Sequence, residues 1–385
     1  MTICHVFLTN SYTEGNSYQE NILSKYHVKL GHRVVMLAAA YTMRGGKYRR
    51  LPAEHYLNAD GVEVFRLTPR RFLFPDRRFN RFPELRAKLE AISPDILFVH
   101  NPQFLDAGVV AAYVKRHPNC RLFVDSHSDF SNSATNWFSK TVLHRLRWKH
   151  TARKLLPCTE MFYGVLPARV DFLVDIYGLP REKCELLVMG AEDDLVEKAR
   201  ASHARERIRE QYGIADDDFL IITGGVIDRW KTQTLLLMEA VRNIRDERLR
   251  LIVFGSFIPE LREQAERLID GDRVRFIGWL RPEQTYDYVE AADLAVFPGR
   301  HSVFWEQVAG QGVPMLVKDW PGTHHVDIGG NVRFLKEDSE EEIRGEIERL
   351  LSHPEEYEAM REAARENGMR VFSYRDIAER SIRPR

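Results

Sequence analysis

Three stretches of this sequence deliver charged or titratable side chains directly after apolar runs. "RLFVDSHSD" ends in Asp125, His127 and Asp129; "FLIITGGVIDRWKTQ" passes through Gly224 and Gly225 to Asp228, Arg229 and Lys231; "DLAVFPGRHSVFWEQVAGQGVPML" carries His301, Ser302 and Glu306. A histidine titrates close to neutrality and suits a reacting centre, which is the reading preferred for His127 over capping a turn between Asp125 and Asp129. A glycine turn followed by cations and a helix start offers main-chain N–H groups and positive charge to an anion. Glu306 is a lone carboxylate beside Trp305 in uncharged surroundings. It either favours the first turn of a helix or serves a ligand.

The elements that position these residues follow from length and pattern. At 385 residues the chain exceeds what one core sustains, so two domains are expected. Hydrophobic residues at 44% and charged residues at 29% describe a globular protein, and a formal net charge of zero gives no overall reason to expect nucleic acid. Cys4, Cys120, Cys158 and Cys184 are scattered without CxxC spacing and read as reduced core thiols. "MTICHVFLTN" reads as a first strand and not as a signal, and no apolar run approaches the roughly 20 residues that span a bilayer.

Short β-branched runs such as "ICHVFLT", "RVVMLAA", "VEVFRL", "DILFVH" and "RLFVDS" alternate with amphipathic stretches such as "SYQENILSKYHVKLG". The rhythm returns in "FLIITGG", "LRLIVFGS", "VRFIGW", "DLAVFPG" and "VPMLVK". Strand, helix and strand in series imply parallel sheets covered on both faces, hence an α/β chain of two Rossmann-like doubly wound domains. The join is expected near residue 195, in the polar segment after "CELLVM", giving domains 1–195 and 196–368 with a last helix over 369–385. Open parallel sheets bind ligands beyond the carboxyl ends of their strands, so a cleft faced by both sheets is expected, with the three stretches lining it.

"WEQVAGQGVPML" from Glu306 to Pro314, "GGVIDRWKTQTLLLMEAV" and "RFIGWLRPEQTYDYVEAADLAVFP" resemble the donor domain of retaining GT-B glycosyltransferases, glycosyltransferase family 4 in particular. "EGNSYQENILSKYHVKLGHRVVMLA" and "LFVDSHSD" resemble its first domain, and "FSYRDIAER" is similar to the final helix that returns to that domain. The resemblance implies metal-independent transfer of a hexosyl-type sugar from a nucleotide diphosphate sugar, with no further cofactor. On the donor side it implies Gly225, Arg229, Lys231, Gly255, Trp279, His301, Ser302, Val303 and Glu306, with Glu306 on the ribose and the amides of Arg300 to Val303 at the diphosphate. His127 would lie over the donor sugar beside Asp125 or Asp129, and Gly15, Asn16 and Ser17 would face the acceptor. Catalytic roles thus fall to His127 and Glu306. Two positions depart from the family: Pro298 stands where the first of two glutamates is usual, and Gly225 where an arginine follows the first glycine.

A glycan or lipid-linked acceptor is implied, in surface polysaccharide or glycolipid synthesis at a cytoplasmic location, peripheral to the inner membrane face. Two basic aromatic tracts, 70–82 and 136–156, read equally as surfaces for an anionic membrane or as helices whose charges are solvated. No nucleic-acid module accompanies them. Glu192 to Asp194 and Asp216 to Asp218 read as caps and turns, not a metal site. His324 and His325 are adjacent on an extended stretch and would point apart, so they read as a loop closing the donor pocket. The alternatives are a sugar-nucleotide epimerase of the same fold and a catalytically silent nucleotide-sugar-binding subunit.

Overall fold

The computed structural model describes residues 1–44, 47–70 and 77–383. They form two compact units, Met1–Val188 with Arg375–Arg385, and Met189–Tyr374. The tract expected over 70–82 lies partly outside the described residues, at 71–76, as do the last two residues of the expected final helix.

In the first unit the order is β1 Thr2–Phe7, α1 Gln19–Lys29, β2 Arg33–Ala39, β3 Tyr41–Arg44, β4 Lys47–Arg50, β5 His55–Leu57, β6 Glu63–Leu67, α2 Leu85–Ile92, β7 Ile96–His100, α3 Ala107–Arg116 and β8 Arg121–Ser126. A π-helical stretch Ser139–Trp148 runs into α4 Lys149–Leu155, followed by β9 Thr159–Gly164, α5 Pro167–Asp175 and β10 Cys184–Leu186. The sheet runs β10-β9-β8-β7-β1-β2-β6-β5, parallel except for β5 against β6, while β3 and β4 pair as a separate antiparallel hairpin. Its central strands are buried on both faces, which is why they read as unbroken apolar runs. The chain leaves β1 toward β2 on one side and later toward β7 on the other. That reversal sets the switch point at the ends of β1 and β7, close to His100 and the end of β8.

The second unit contains α6 Asp193–Ala201, α7 Ala204–Tyr212, β11 Phe219–Ile227, α8 Gln233–Asn243, β12 Leu249–Phe257, α9 Pro259–Leu268, β13 Val274–Gly278, α10 Pro282–Ala291, β14 Leu294–Phe297 and α11 Phe304–Gln311. It closes with β15 Met315–Lys318, β16 Val332–Leu335, α12 Glu340–Ser352 and α13 Pro354–Phe372, and α14 Tyr374–Ser381 carries the chain into the first unit. The order β13-β12-β11-β14-β15-β16 puts the switch point between β11 and β14; the loop leaving β11 holds Lys231, and the loop leaving β14 leads into α11, which carries Glu306. Gly312 ends α11 at φ 80°, with Pro314 just beyond, as a left-handed helix stop requires.

The exchange between units falls at Met189 and Arg375, not near 195 and 369. The physical reason is local: the Glu192 amide donates to the Tyr286 hydroxyl at 2.9 Å, Ala191 bridges Ser373, and α13 continues to Phe372 within the second unit. The tract 136–156 is helical, but its first half winds as a π-helix. Strands β9 and β16 were not singled out by pattern, and the edge strand β5 is antiparallel.

Gly225 and Gly255 face each other across β11 and β12 at φ 112° and 111°, and a Cβ on Gly255 would overlap the Gly225 carbonyl oxygen. Gly255→Ala is therefore expected to cost at least about 2 kcal/mol and to lower the Tm by several degrees. An unchanged melting curve would show that the two strands can separate at no cost.

Candidate active site

In the first unit, β8 delivers Asp125 and the following loop presents His127. Asn101, at the end of β7 with φ 69°, accepts from the His127 amide at 2.9 Å through Oδ1 and donates its own amide to Asp125 Oδ1 at 3.1 Å. Asparagine tolerates this left-handed conformation better than other side-chain-bearing residues, which makes it a natural bracket for the loop. His127 Nε2 stands 3.4 Å from Asp125 Oδ2 without hydrogen-bond alignment and has no other partner among the described residues. Burial by itself pushes the Asp125 carboxyl up, but His100 and His127 more than offset this and hold it well below the usual carboxylate range. Buried Glu20, at the start of α1, is pushed up by burial, and His127 and His100 only partly oppose that.

Behind Asp125 runs a file of buried histidines. His100 Nδ1 contacts Asp125 Oδ2 at 2.6 Å, His100 Nε2 contacts His5 Nδ1 at 2.9 Å, His5 Nε2 contacts His27 Nδ1 at 3.0 Å, and His27 Nε2 contacts the Ala378 carbonyl at 3.1 Å. Both ends of the file are acceptors, so its four contacts need four hydrogens, whereas three neutral imidazoles hold three. With every contact satisfied, one ring carries a second proton. Burial holds His5 well below its usual range and His27 down to about 3, so neither of these two rings favours the extra proton. Without that proton the His27 lone pair would face a carbonyl, with only the Ser381 hydroxyl, 3.0 Å away, as donor.

This burial sets a pH dependence. His5, His27 and His144 are all depressed by burial, His144 to about 4, so below about pH 6.5 the unfolded chain takes up protons that the folded one refuses. Stability is intact above that value and declines beneath it by up to about 1.4 kcal/mol per pH unit for each histidine. Asp125 and Glu306, also depressed, add a further loss below about pH 4. Urea unfolding at pH 7 and pH 5 should show the histidine effect; equal midpoints would mean these rings are charged in the fold.

In the second unit, two loops are laced together. The Arg300 amide donates to the Trp230 carbonyl at 3.2 Å, and the Arg300 guanidinium lies 6.0 Å from the Trp230 ring centre. A Cβ on Gly299 would stand only 2.9 Å from Lys231 Cα, so glycine permits the approach. Lys231 Nζ and the Phe304 ring both border Gly225, at 3.4 and 3.7 Å from where its Cβ would be. Lys231 forms no ion pair among the described residues, and burial holds its ammonium below the usual lysine range. An ammonium so placed is poorly compensated until an anion arrives.

Glu306, in the first turn of α11, is fully buried. Its Oε1 accepts from His301 Nε2 at 2.9 Å and His325 Nε2 at 3.0 Å, while Oε2 has no partner among the described residues. Burial pushes this carboxyl up, and the two imidazoles more than reverse that. A buried carboxylate oxygen without a donor calls for an explanation, and a ligand hydroxyl supplies one. Two groups, His100–Asp125–His127 and His301–Glu306–His325, each bring ligating atoms within 4.8 Å of one another. The contacts His100–Asp125, His301–Glu306 and His325–Glu306 are at hydrogen-bond length, so they are accounted for without a metal.

Of the residues singled out from sequence, Gly225, Lys231, His301 and Glu306 share this second-unit site, with half-buried Ser302 and Val303 leading into α11. Arg229 is exposed in the same loop. Trp279, 65% exposed after edge strand β13, makes no ring or hydrogen-bond contact with them among the described residues. The Arg300 amide, expected to face a ligand, is already spent on Trp230. Asp129 does not reach His127; it caps the turn through Ser131 and Asn132 and pairs with Arg169 at 3.0 Å. His324 and His325 do point apart, to Asp319 at 2.6 Å and to Glu306, but from a 3-10 turn. Gly15, Asn16 and Ser17 lie in the loop that joins β1 to α1. Sequence reasoning missed His5, His27, His100, Glu20 and Asn101. A polar residue inside an apolar strand, as in "ICHVFLT" and "DILFVH", was the available signal.

Comparison with known proteins gives a consistent picture. A family model described as glycosyl transferase 4-like domain matches residues 17–190, and one described as glycosyl transferases group 1 matches residues 204–367. Mannosylfructose-phosphate synthase of Agrobacterium fabrum is 22% identical over 238 residues, and alpha-monoglucosyldiacylglycerol synthase of Streptococcus pneumoniae 23% over 232 residues. Each match takes in 58% of this chain and 52% of the relative, so the chain spans about half the length of the curated relatives it matches. The crystal structure of Anabaena HepE in complex with UDP is similar at a TM-score of 0.69 and 17% identity, covering 99% of this chain and 98% of that one. At that identity the likeness establishes the fold, which is GT-B.

Proposed function

We propose that this chain, which belongs to the glycosyltransferases of the GT-B fold through its two matched domains, moves a sugar from a nucleotide diphosphate sugar to a glycan or lipid-linked acceptor with retention of configuration. The observation that carries this reading is that one unit holds, in the loop after β11 and in the first turn of α11 after β14, an ammonium without an ion pair among the described residues and a buried carboxylate oxygen without a donor, Lys231 Nζ and Glu306 Oε2. A nucleotide diphosphate presents what these groups lack: phosphate charge for Lys231 and Arg229, and ribose hydroxyls that donate to Oε2. The amides of His301, Ser302 and Val303 at the start of α11 add further positive potential. As the sugar departs, negative charge grows on the diphosphate, and the same groups stabilise it without a metal. His127, with Nε2 unpartnered among the described residues, hydrogen-bonds the donor sugar. The departing phosphate takes the acceptor proton on the same face. UDP bound by HepE is in keeping with this class of donor.

Exposed Trp137, Phe138 and Leu146, with Lys140 and Arg145 among them, support peripheral contact with an anionic membrane. No described helix is long and apolar enough to cross one. A second reading, nucleotide-sugar binding without transfer, draws on Pro298 in place of the usual first glutamate. A thermal-shift and turnover screen over a panel of nucleotide sugars separates the two. Stabilisation with acceptor-dependent turnover supports transfer, stabilisation without turnover supports the silent subunit, and ring-carbon inversion without acceptor supports an epimerase.

A further inference from the structure

The two basic tracts come together in the first unit. A cavity of about 400 Å3 on its helical flank is lined by Arg81, Arg86, Arg116, Arg147, Thr151 and Lys154, from the segment before α2, α2 itself, α3, the π-helix and α4. A neighbouring cavity of about 470 Å3 shares Arg81 and Arg86 and adds Arg70, Phe82, Pro83 and Asp106. No carboxylate among the described residues lines the first chamber. Arg81 pairs with Asp106 at 2.9 Å and Arg116 with Glu90 at 2.7 Å, which neutralises two of the cations. Arg86, Arg147 and Lys154 form no ion pair among the described residues. Burial, and to a lesser degree the adjacent Arg81 guanidinium, hold Arg147 below the usual arginine range. Concave surfaces concentrate such a field, and guanidinium forks match phosphate oxygens two at a time.

We propose that this basin binds a phosphate-bearing ligand through Arg86, Arg147 and Lys154, with the chamber at Phe82 and Pro83 taking apolar atoms attached to the phosphate. Its walls are helices on the flank of the sheet, and the residues assigned above to the donor are not among them. The phosphate can come from a free diphosphate or from a lipid headgroup, and the two sources are separable.

The test uses the whole chain in two arms: calorimetric titration with pyrophosphate in a Lys231→Ala background, and co-sedimentation with phosphatidylcholine vesicles with and without phosphatidylglycerol. Arg147→Gln with Lys154→Gln is compared with Arg86→Gln with Lys154→Gln, whose side chains are exposed and whose loss spares the fold, and with a control, Arg49→Gln with Arg50→Gln on exposed β4. Each basin double variant should weaken binding roughly tenfold or more, while the control stays within about twofold, from roughly a tenfold contribution for two near-surface cations. Loss in both arms assigns the basin to phosphate itself; loss with vesicles alone assigns it to a lipid headgroup. No binding by the parent chain, or equal binding by basin and control variants, overturns the proposal. Neither arm measures sugar transfer, so that result leaves the donor-site reading standing on its own test.

Discussion

Glu306→Gln is expected to lower turnover of any accepted nucleotide sugar by at least roughly 100-fold and to weaken nucleotide binding by about tenfold or more. The carboxylate does two things that an amide cannot combine. Oε1 takes two imidazole N–H groups, from His301 and His325, and Oε2 stays open as an acceptor. In glutamine one oxygen must serve both rings, and an NH2 group replaces the open acceptor. Hydrogen bonds to a charged partner contribute about 1.5–3 kcal/mol each, so losing one or two accounts for the expected loss. If Glu306 served only as a first-turn acid of α11, the change would remove about 0.3–1 kcal/mol of stability and leave binding intact. Calorimetry with UDP and other nucleoside diphosphates, together with initial rates, decides between them. Wild-type affinity in the glutamine variant would sink the ribose assignment.

His127→Ala should behave differently: turnover falls by roughly 100- to 1000-fold, as removal of one preorganised partner at a reacting centre does, while nucleotide affinity stays within a factor of about two. The affinity is spared because Lys231 and Glu306, which are proposed to hold the nucleotide, belong to the other unit. The Tm should barely move, since the ring is partly exposed and lacks a hydrogen-bond partner among the described residues. Asp125→Ala makes the contrast. It strips a fully buried carboxylate acceptor from the His100 ring and the Asn101 amide and is expected to cost about 2–4 kcal/mol, because donors are then left without an acceptor. A His127→Ala chain that melts far below the wild type would mark His127 as structural.

Much of the fold was legible because burial on both faces leaves an unmistakable pattern. The runs at β1, β2, β7, β8, β11, β12 and β14 are mostly apolar, and polar residues cluster where they end. Strands β9 and β16 were harder: "TEMFYG" and "VRFL" mix polar with apolar side chains and carry no strong period. The π-helical turn at Ser139–Trp148 left no trace either, because its apolar spacing also fits an α-helix. The units divide a few residues before the expected join, where Glu192 and Ala191 look like linker in sequence and are held by contacts distant in sequence.

At the candidate site the division is sharper. Glu306, Lys231, Gly225 and His127 could be nominated from local pattern and the family resemblance, since strand ends, glycine turns and helix starts are short-range features. His325 reaching Glu306 across 19 positions, and His5, His27 and His100 aligned behind Asp125 with Ala378 at the far end, were not. The same holds for Arg86, Arg147 and Lys154 lining one cavity. By itself the sequence determined which residues could carry charge and where strands surrender them to loops. Tertiary structure alone decided which of those charges meet: pairing in three dimensions depends on the order of strands in the sheet and the packing of helices upon it, and local spacing holds no information on either.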